Sequence, residues 1–310
     1  MTSIDERIQG GIYGLLAGDA LGVPYEFHGA ADIPPLDQIE MAPPAGFHRA
    51  HGSVPPGTWS DDGAQALALL ASLLECGRLD VDDFGRRLVA WYERGYMAVD
   101  NRVFDVGIQT SQAISALQRG VPASQAGPAG ERANGNGSLM RVLPLALWHQ
   151  GSNGDLVAAA HAQSAVTHGH LRSQVCCALY CLWARRSLAG VTDAWADAAA
   201  TLRTIYGDGS AASNELDEQI RPVAPPSGTG SGYVVDCLNS ARLALTAGAY
   251  EVTVKAAIAL GNDTDTTACV AGGISGVQQG IAAIPARWLD ALRGKEIVQP
   301  LVEQLLDRRV

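Results

Sequence analysis

Apolar residues recur at the three- and four-residue spacing of a helix along most of this chain, and strand-like alternation is scarce. Residues 64–75 set Leu67, Leu70, Leu73 and Leu74 on one face, and residues 170–188, 234–247 and 251–260 carry similar stripes. No βαβ rhythm appears, so the pattern predicts a compact all-α domain of many helices, with a mostly helical chain holding a few short strands as the alternative. Gly272, Gly276 and Gly280 recur at intervals of four in the last long helix, beside Ala268 and Ala271. A helix-interior glycine costs about 1 kcal/mol against alanine, so a packing gain must offset it. A groove of small residues that admits a second helix supplies that gain. The spacing therefore predicts a central, buried helix whose N-terminus lies at Asp263 to Thr266.

Composition narrows the function classes. Of 310 residues 47% are apolar and 17% charged, which supports a large core and excludes general disorder. With only 4 Phe, packing falls to small and aliphatic side chains, which favours closely packed helices. The net charge of -10 argues against nonspecific binding to nucleic acid or to an anionic membrane. An anionic small ligand stays open, because bound cations and helix N-termini supply local positive field. The six cysteines (Cys76, Cys176, Cys177, Cys181, Cys237 and Cys269) lie in apolar helical patterns without a C-x-x-C pair, and read as reduced core thiols. Residues 1–22 hold an apolar run too short and Gly-rich to span a membrane and no basic leader, so a cytoplasmic protein is expected. Residues 28–58, with three Pro-Pro pairs, and 206–232, rich in Gly, Ser and Pro, interrupt the helical pattern and read as functional loops. Helical periodicity resumes after each, so one domain over 1–310 is expected.

Two acidic clusters stand out. Ser60-Asp61-Asp62 follows Gly57-Thr58-Trp59 ahead of a helix from residue 64, and Asp263-Thr264-Asp265-Thr266 precedes a helix from residue 268. Helix capping alone would account for either one. Yet a cap needs one acceptor, and each cluster offers two carboxylates and a hydroxyl. Four carboxylates from distant segments make an oxygen cage for a hard cation such as Mg²⁺ or Mn²⁺. Should they converge, their mutual repulsion would require such cations.

Seven segments in order then resemble the ADP-ribosylglycohydrolase family: Gly18-Asp19-Ala20-Leu21-Gly22 with Glu26; Trp59 to Asp62; Phe104-Asp105-Val106-Gly107; Gly135 to Arg141; Thr167-His168; Ser231 to Asp236; and Gly261 to Thr267. The resemblance implies an all-α, orthogonal multi-helix bundle and removal of ADP-ribose from modified side chains with two divalent cations, Mg²⁺ or Mn²⁺. Carried over by position, it implies Ser60, Asp61, Asp62, Asp263, Asp265 and Thr266 as metal ligands, with Thr264 pointing elsewhere. Glu26 falls near the substrate ribose, and Glu26, Asp61 and Asp265 are the candidates for managing the proton of the attacking water. The ligand-binding loop falls on Asn136, Gly137, Ser138 and Met140, followed by a helical stretch to Trp148 kinked at Pro144. His168 falls at the pyrophosphate. Asp105 with Gly107, and Tyr233, fall where arginine-directed relatives hold the guanidinium, a carboxylate being a bidentate partner for that group; a plain N-cap is the other reading of Asp105. Gly63 and Asn262 depart from the family's usual Thr and Gly.

The favoured activity is hydrolysis of ADP-ribosyl-arginine on a protein or small molecule, with ADP-ribose as product. Another ADP-ribosyl linkage (serine or nucleic acid), a noncatalytic ADP-ribose binder and a different dimetal hydrolase are the alternatives; the last usually recruits histidines, and none adjoins either cluster.

Overall fold

The structure, a computed structural model, describes residues 2–308. Their helices run α1 (Ile4–Gly22), α2 (Asp61–Cys76), α3 (Val81–Arg94), α4 (Ile108–Gln118), α5 (Ala123–Ala126), α6 (Leu143–Trp148), α7 (Asn153–Ala165) and α8 (Leu171–Leu188). They continue with α9 (Ala194–Tyr206), α10 (Ala211–Asn214), α11 (Val234–Leu245), α12 (Tyr250–Ile258), α13 (Thr264–Gln279), α14 (Ala286–Ala291) and α15 (Lys295–Asp307). Strand-like pairing among the described residues is confined to the isolated bridges Gly29–Gly261 and Gly135–Tyr233. The fold is all-α, as the spacing of apolar residues predicts.

The centre of the molecule is an antiparallel pair, α1 against α13. Glycines on both helices make it possible: a Cβ added to Gly10 would strike the backbone of Gly276, one on Gly14 that of Gly272, one on Gly18 that of Ala268, and one on Gly22 that of Asp265. The small-residue ladder expected on α13 thus meets a second, in-register ladder on α1. Backbone contact at this distance lets no other side chain intervene, and α13 is buried from Thr264 to Val277.

Several local expectations need correction. α2 begins at Asp61, earlier than residue 64, and α13 begins at Thr264, ahead of residue 268 but within the Asp263 to Thr266 stretch expected for its N-terminus, because the acidic residues form the first turns. Gly280 ends α13 with a φ of 82° and lies outside it, and α15 follows as a further 13-residue helix. Pro144 sits in the first turn of α6, where a missing N–H costs nothing, so it starts that helix and kinks none. The 206–232 stretch contains α10 and a π-helical turn, Glu215–Ile220. All six cysteines are free thiols in helices, five buried and Cys76 half-buried. No helix among the described residues is long and apolar enough to cross a membrane.

Candidate active site

A helix start leaves backbone N–H groups without partners, and at α2 they are taken by a residue from another helix. Asp19, buried on α1, accepts the Ser60 N–H at 2.9 and 3.1 Å and the Gly63 N–H at 2.8 Å. Ser60 Oγ accepts from the Asp62 N–H at 3.3 Å. Asp61 and Asp62 are thereby released from capping. At α13, Asp263 holds the N-cap position but its side chain makes no cap bond. Its Oδ2 instead accepts from Asn136 Nδ2 at 2.9 Å.

The two clusters converge. Thr266 Oγ1 donates to Asp62 Oδ1 at 3.3 Å, across 204 residues of chain. Carboxylate oxygens of Glu26, Asp263 and Asp265 lie within 4.8 Å of one another, and so do ligand atoms of Glu26, His51 and Asp105. Asp62 Oδ2 and Asp265 Oδ2 are buried without a hydrogen-bond partner, a costly state for a carboxylate oxygen. Burial first, and then the neighbouring carboxylates, raises Asp61, Asp62 and Asp265 well above the usual carboxylate range. The same causes push Glu26 up to about 10 and Asp105 to about 6. Orphaned, mutually repelling carboxylates beside two hydroxyls fit hard divalent cations.

A cavity of about 200 Å³ opens on this cluster. Its lining includes Glu26, Asp61, Asp263 and Thr266 of the cluster, together with Asp105, Gly107, Gly135, Asn136, Gly137, Met140 and His168. Ser60, Asp62 and Asp265 are buried outside its wall. His168 Nδ1 pairs with Thr167 Oγ1 at 2.8 Å, and burial, aided by Arg141, pushes the ring down to about 3, so it is neutral at physiological pH. Gly137 has no room for a side chain, since a Cβ there would lie 2.9 Å from His168 Cε1. Asp105 has a φ of 53° and is no cap, the N-cap of α4 being Gly107.

Two expected contacts stand apart from the cavity wall. Ser138 is buried with its Oγ against Ser164 at 2.9 Å and Cys177 at 3.4 Å, because its hydroxyl closes an interior network. Tyr233 adjoins Gly232, which does line the cavity, but is itself 39% exposed, and its hydroxyl accepts from Arg172 at 3.2 Å. Thr264 Oγ1 donates to the Gly22 carbonyl at 2.8 Å. His170 caps α8, its Nδ1 accepting from the Arg172 N–H at 3.2 Å. Sequence reasoning gave no role to Asp19 or His51. A charged residue inside the apolar run of α1 was a usable signal for Asp19. His51, whose Nε2 lies 2.7 Å from Glu26 Oε2, comes from an irregular segment and had none.

The sequence model of the family described as ADP-ribosylglycohydrolase matches residues 1–310. An ADP-ribosylarginine hydrolase, Tri1, of Pseudomonas putida (strain GB-1) is 29% identical over 310 residues, covering 98% of this chain and 78% of that protein. The ADP-ribosyl-[dinitrogen reductase] glycohydrolase of Rhodospirillum rubrum is 28% identical, covering 94% of this chain and 91% of that one. A solved structure titled ADP-ribosylglycohydrolase-related protein complex superposes with a TM-score of 0.79 at 29% identity, covering 98% of both chains. With the family's pattern matched from end to end and its fold reproduced around this cavity, the chain belongs to the ADP-ribosylglycohydrolase family of ADP-ribosyl hydrolases.

Proposed function

We propose that this chain removes ADP-ribose from modified arginine, with Ser60, Asp61, Asp62, Asp263, Asp265 and Thr266 holding two divalent cations, Mg²⁺ or Mn²⁺. The observation that carries the reading is the pair of buried, unpartnered oxygens, Asp62 Oδ2 and Asp265 Oδ2, where the two helix starts meet. When bound, the cations supply a grip on the vicinal ribose hydroxyls and help orient or acidify the attacking water. Asn136, Gly137, Met140 and His168 receive the pyrophosphate side of the ligand, where neutral His168 adds no charge. Asp105 supports the arginine preference: its carboxylate lines the same cavity, serves no helix cap, and suits a guanidinium. The name of the Pseudomonas putida relative, an ADP-ribosylarginine hydrolase, supports arginine as the acceptor, and that of the Rhodospirillum rubrum relative supports an ADP-ribosylated protein as substrate. Tyr233 is left as an outer contact. The reading takes residues 1–310 as one domain, since α1 and α13 both contribute.

In this reading water adds to the anomeric carbon through an oxocarbenium-like state, the bond to the guanidinium nitrogen breaks, and the water's proton ends on the departing arginine. Glu26, set among Asp61, Asp105 and Asp263, is the group that manages this proton, with Asp61 and Asp265 as the other candidates. The test is direct: incubate the protein with Mg²⁺ or Mn²⁺ and with arginine-linked or serine-linked ADP-ribosyl peptides, and quantify free ADP-ribose. Release from the arginine linkage, lost on chelation, is expected. Release from the serine linkage alone, or undiminished release in a chelator, overturns the proposal.

A further inference from the structure

Arg141 ends the Gly135 to Arg141 segment and does not line the cavity. Its side chain is fully buried, its guanidinium carbon lies 5.0 Å from the Phe84 ring centroid, and it forms no ion pair among the described residues. It donates instead to Gln65 Oε1 at 2.8 Å, to Gln163 Oε1 at 3.2 Å and to the Gln163 carbonyl at 3.0 Å. Burial pushes it down to about 10, so it stays charged at neutral pH. A buried charge without a direct counter-ion is expensive to keep.

Its chemistry determines what lies beyond it. A guanidinium has donors and no acceptor, so both carboxamides must turn their oxygens toward it. Their NH₂ groups then face away, and each has a partner. Gln65 Nε2 donates to Asp61 Oδ2 at 3.1 Å, and Gln163 Nε2 donates to the Ser138 carbonyl at 3.2 Å. One side of the relay ends on a proposed cation ligand, the other on the loop proposed to hold ADP-ribose. Gln65 stands one helical turn after Asp61 on α2, and Gln163 lies on α7, so the relay ties two elements to the loop.

We infer that Arg141 is a positioning residue that fixes, through Gln65 and Gln163, the carboxylate of Asp61 and the backbone of the 136–140 loop together. Without the guanidinium either amide is free to flip, which would aim an amide oxygen at the Asp61 carboxylate or at the Ser138 carbonyl. This rests on Asp61 being a cation ligand.

Calorimetric titrations with Mn²⁺ alone, and with ADP-ribose at saturating Mn²⁺, test it on the whole chain and its Gln65→Met, Gln163→Met, Arg141→Met and Arg141→Lys variants. Gln65→Met is expected to bind Mn²⁺ about 10- to 100-fold more weakly. Gln163→Met is expected to hold Mn²⁺ affinity within about twofold and to weaken ADP-ribose about tenfold. Arg141→Met combines both losses, and Arg141→Lys does not rescue them, since an ammonium lacks the planar fork that holds two amides. Unchanged affinities in both glutamine variants, with thermal stability alone reduced, overturn the relay. A parent protein that binds no Mn²⁺ overturns the cation reading and the relay with it, a result distinct from a parent that binds and a Gln65→Met variant that binds equally. Should Arg141→Met fail to fold, the two glutamine variants still decide.

Discussion

Asp19 decides how the residues around it are used. By accepting two N–H groups at the start of α2 it does the work that Asp61 and Asp62 would otherwise do as caps. Asp19→Asn keeps the size but gives up one acceptor and sets an NH₂ against a backbone N–H, so a loss of about 2 kcal/mol is expected. Urea denaturation of the cation-free protein at neutral pH measures it; an unchanged midpoint would mean that the bonds to Asp19 carry no stability. The two departures from the family pattern have local reasons as well. A side chain at Gly63 would meet Leu16 Cδ2 at 2.7 Å and Trp59 Cγ at 2.8 Å, so in this chain the hydroxyl has no room. Asn262 has a φ of 62°, a conformation that suits Gly and that Asn tolerates better than most residues, and its Nδ2 donates to the Thr229 carbonyl at 2.8 Å.

At the scale of elements, the α1–α13 pair builds the site by bringing the end of one helix to the start of the other. Gly22 closes α1 against Asp265, Thr264 bonds back to Gly22, and Phe27 N–H donates to the Asn262 carbonyl at 2.8 Å. Glu26, in the turn that follows α1, is thereby carried beside Asp263 and Asp265. A wider interhelical distance would separate them, which gives the glycine ladders a functional consequence. A Cβ on Gly14 would lie 2.6 Å from the Gly272 carbonyl oxygen, and backbone cannot rotate away as a side chain can. Gly14→Val is therefore expected to cost about 3 kcal/mol or more and to weaken Mn²⁺ binding. Gly130→Ala, in open space, serves as the control and should leave both unchanged. Chemical denaturation and Mn²⁺ titration of both variants check this; a Gly14→Val protein as stable as the parent would remove the packing argument.

For the whole molecule the buried carboxylates tie stability to pH and to cations. Asp61, Asp62 and Asp265 have folded pKa values raised above their unfolded ones, burial being the largest cause. Their contribution is then fully present below the unfolded carboxylate range and is lost as pH rises through the folded values. Without divalent cations the protein is expected to melt at a lower temperature at pH 8 than at pH 5.5. Mn²⁺ at a hundred times its Kd at pH 5.5 should add about 3 kcal/mol there, and the same concentration should add more at pH 8, where fewer protons compete for the carboxylates. Melting curves in chelator and in Mn²⁺ at both pH values measure this, and identical curves would count against a cation site. Much of the molecule was legible beforehand because helices announce themselves locally: apolar spacing on α2, α8, α11 and α12, and the small-residue ladder on α13, are properties of short stretches. The acidic clusters were equally visible, since carboxylates and hydroxyls at two helix starts stand together in the chain. Hidden from such a reading were the partners, because which side chain answers Asp61, Glu26 or Arg141 depends on contacts between segments far apart along the chain. Sequence by itself determined the helices, the family and the chemistry on offer, all of which are encoded within a few residues of one another. Tertiary structure alone decided that Asp19 frees the first acidic cluster from capping, that Ser138 turns inward, and that Gln65 and Gln163 hang on one buried guanidinium, since hydrogen-bond direction and burial exist only once distant segments meet.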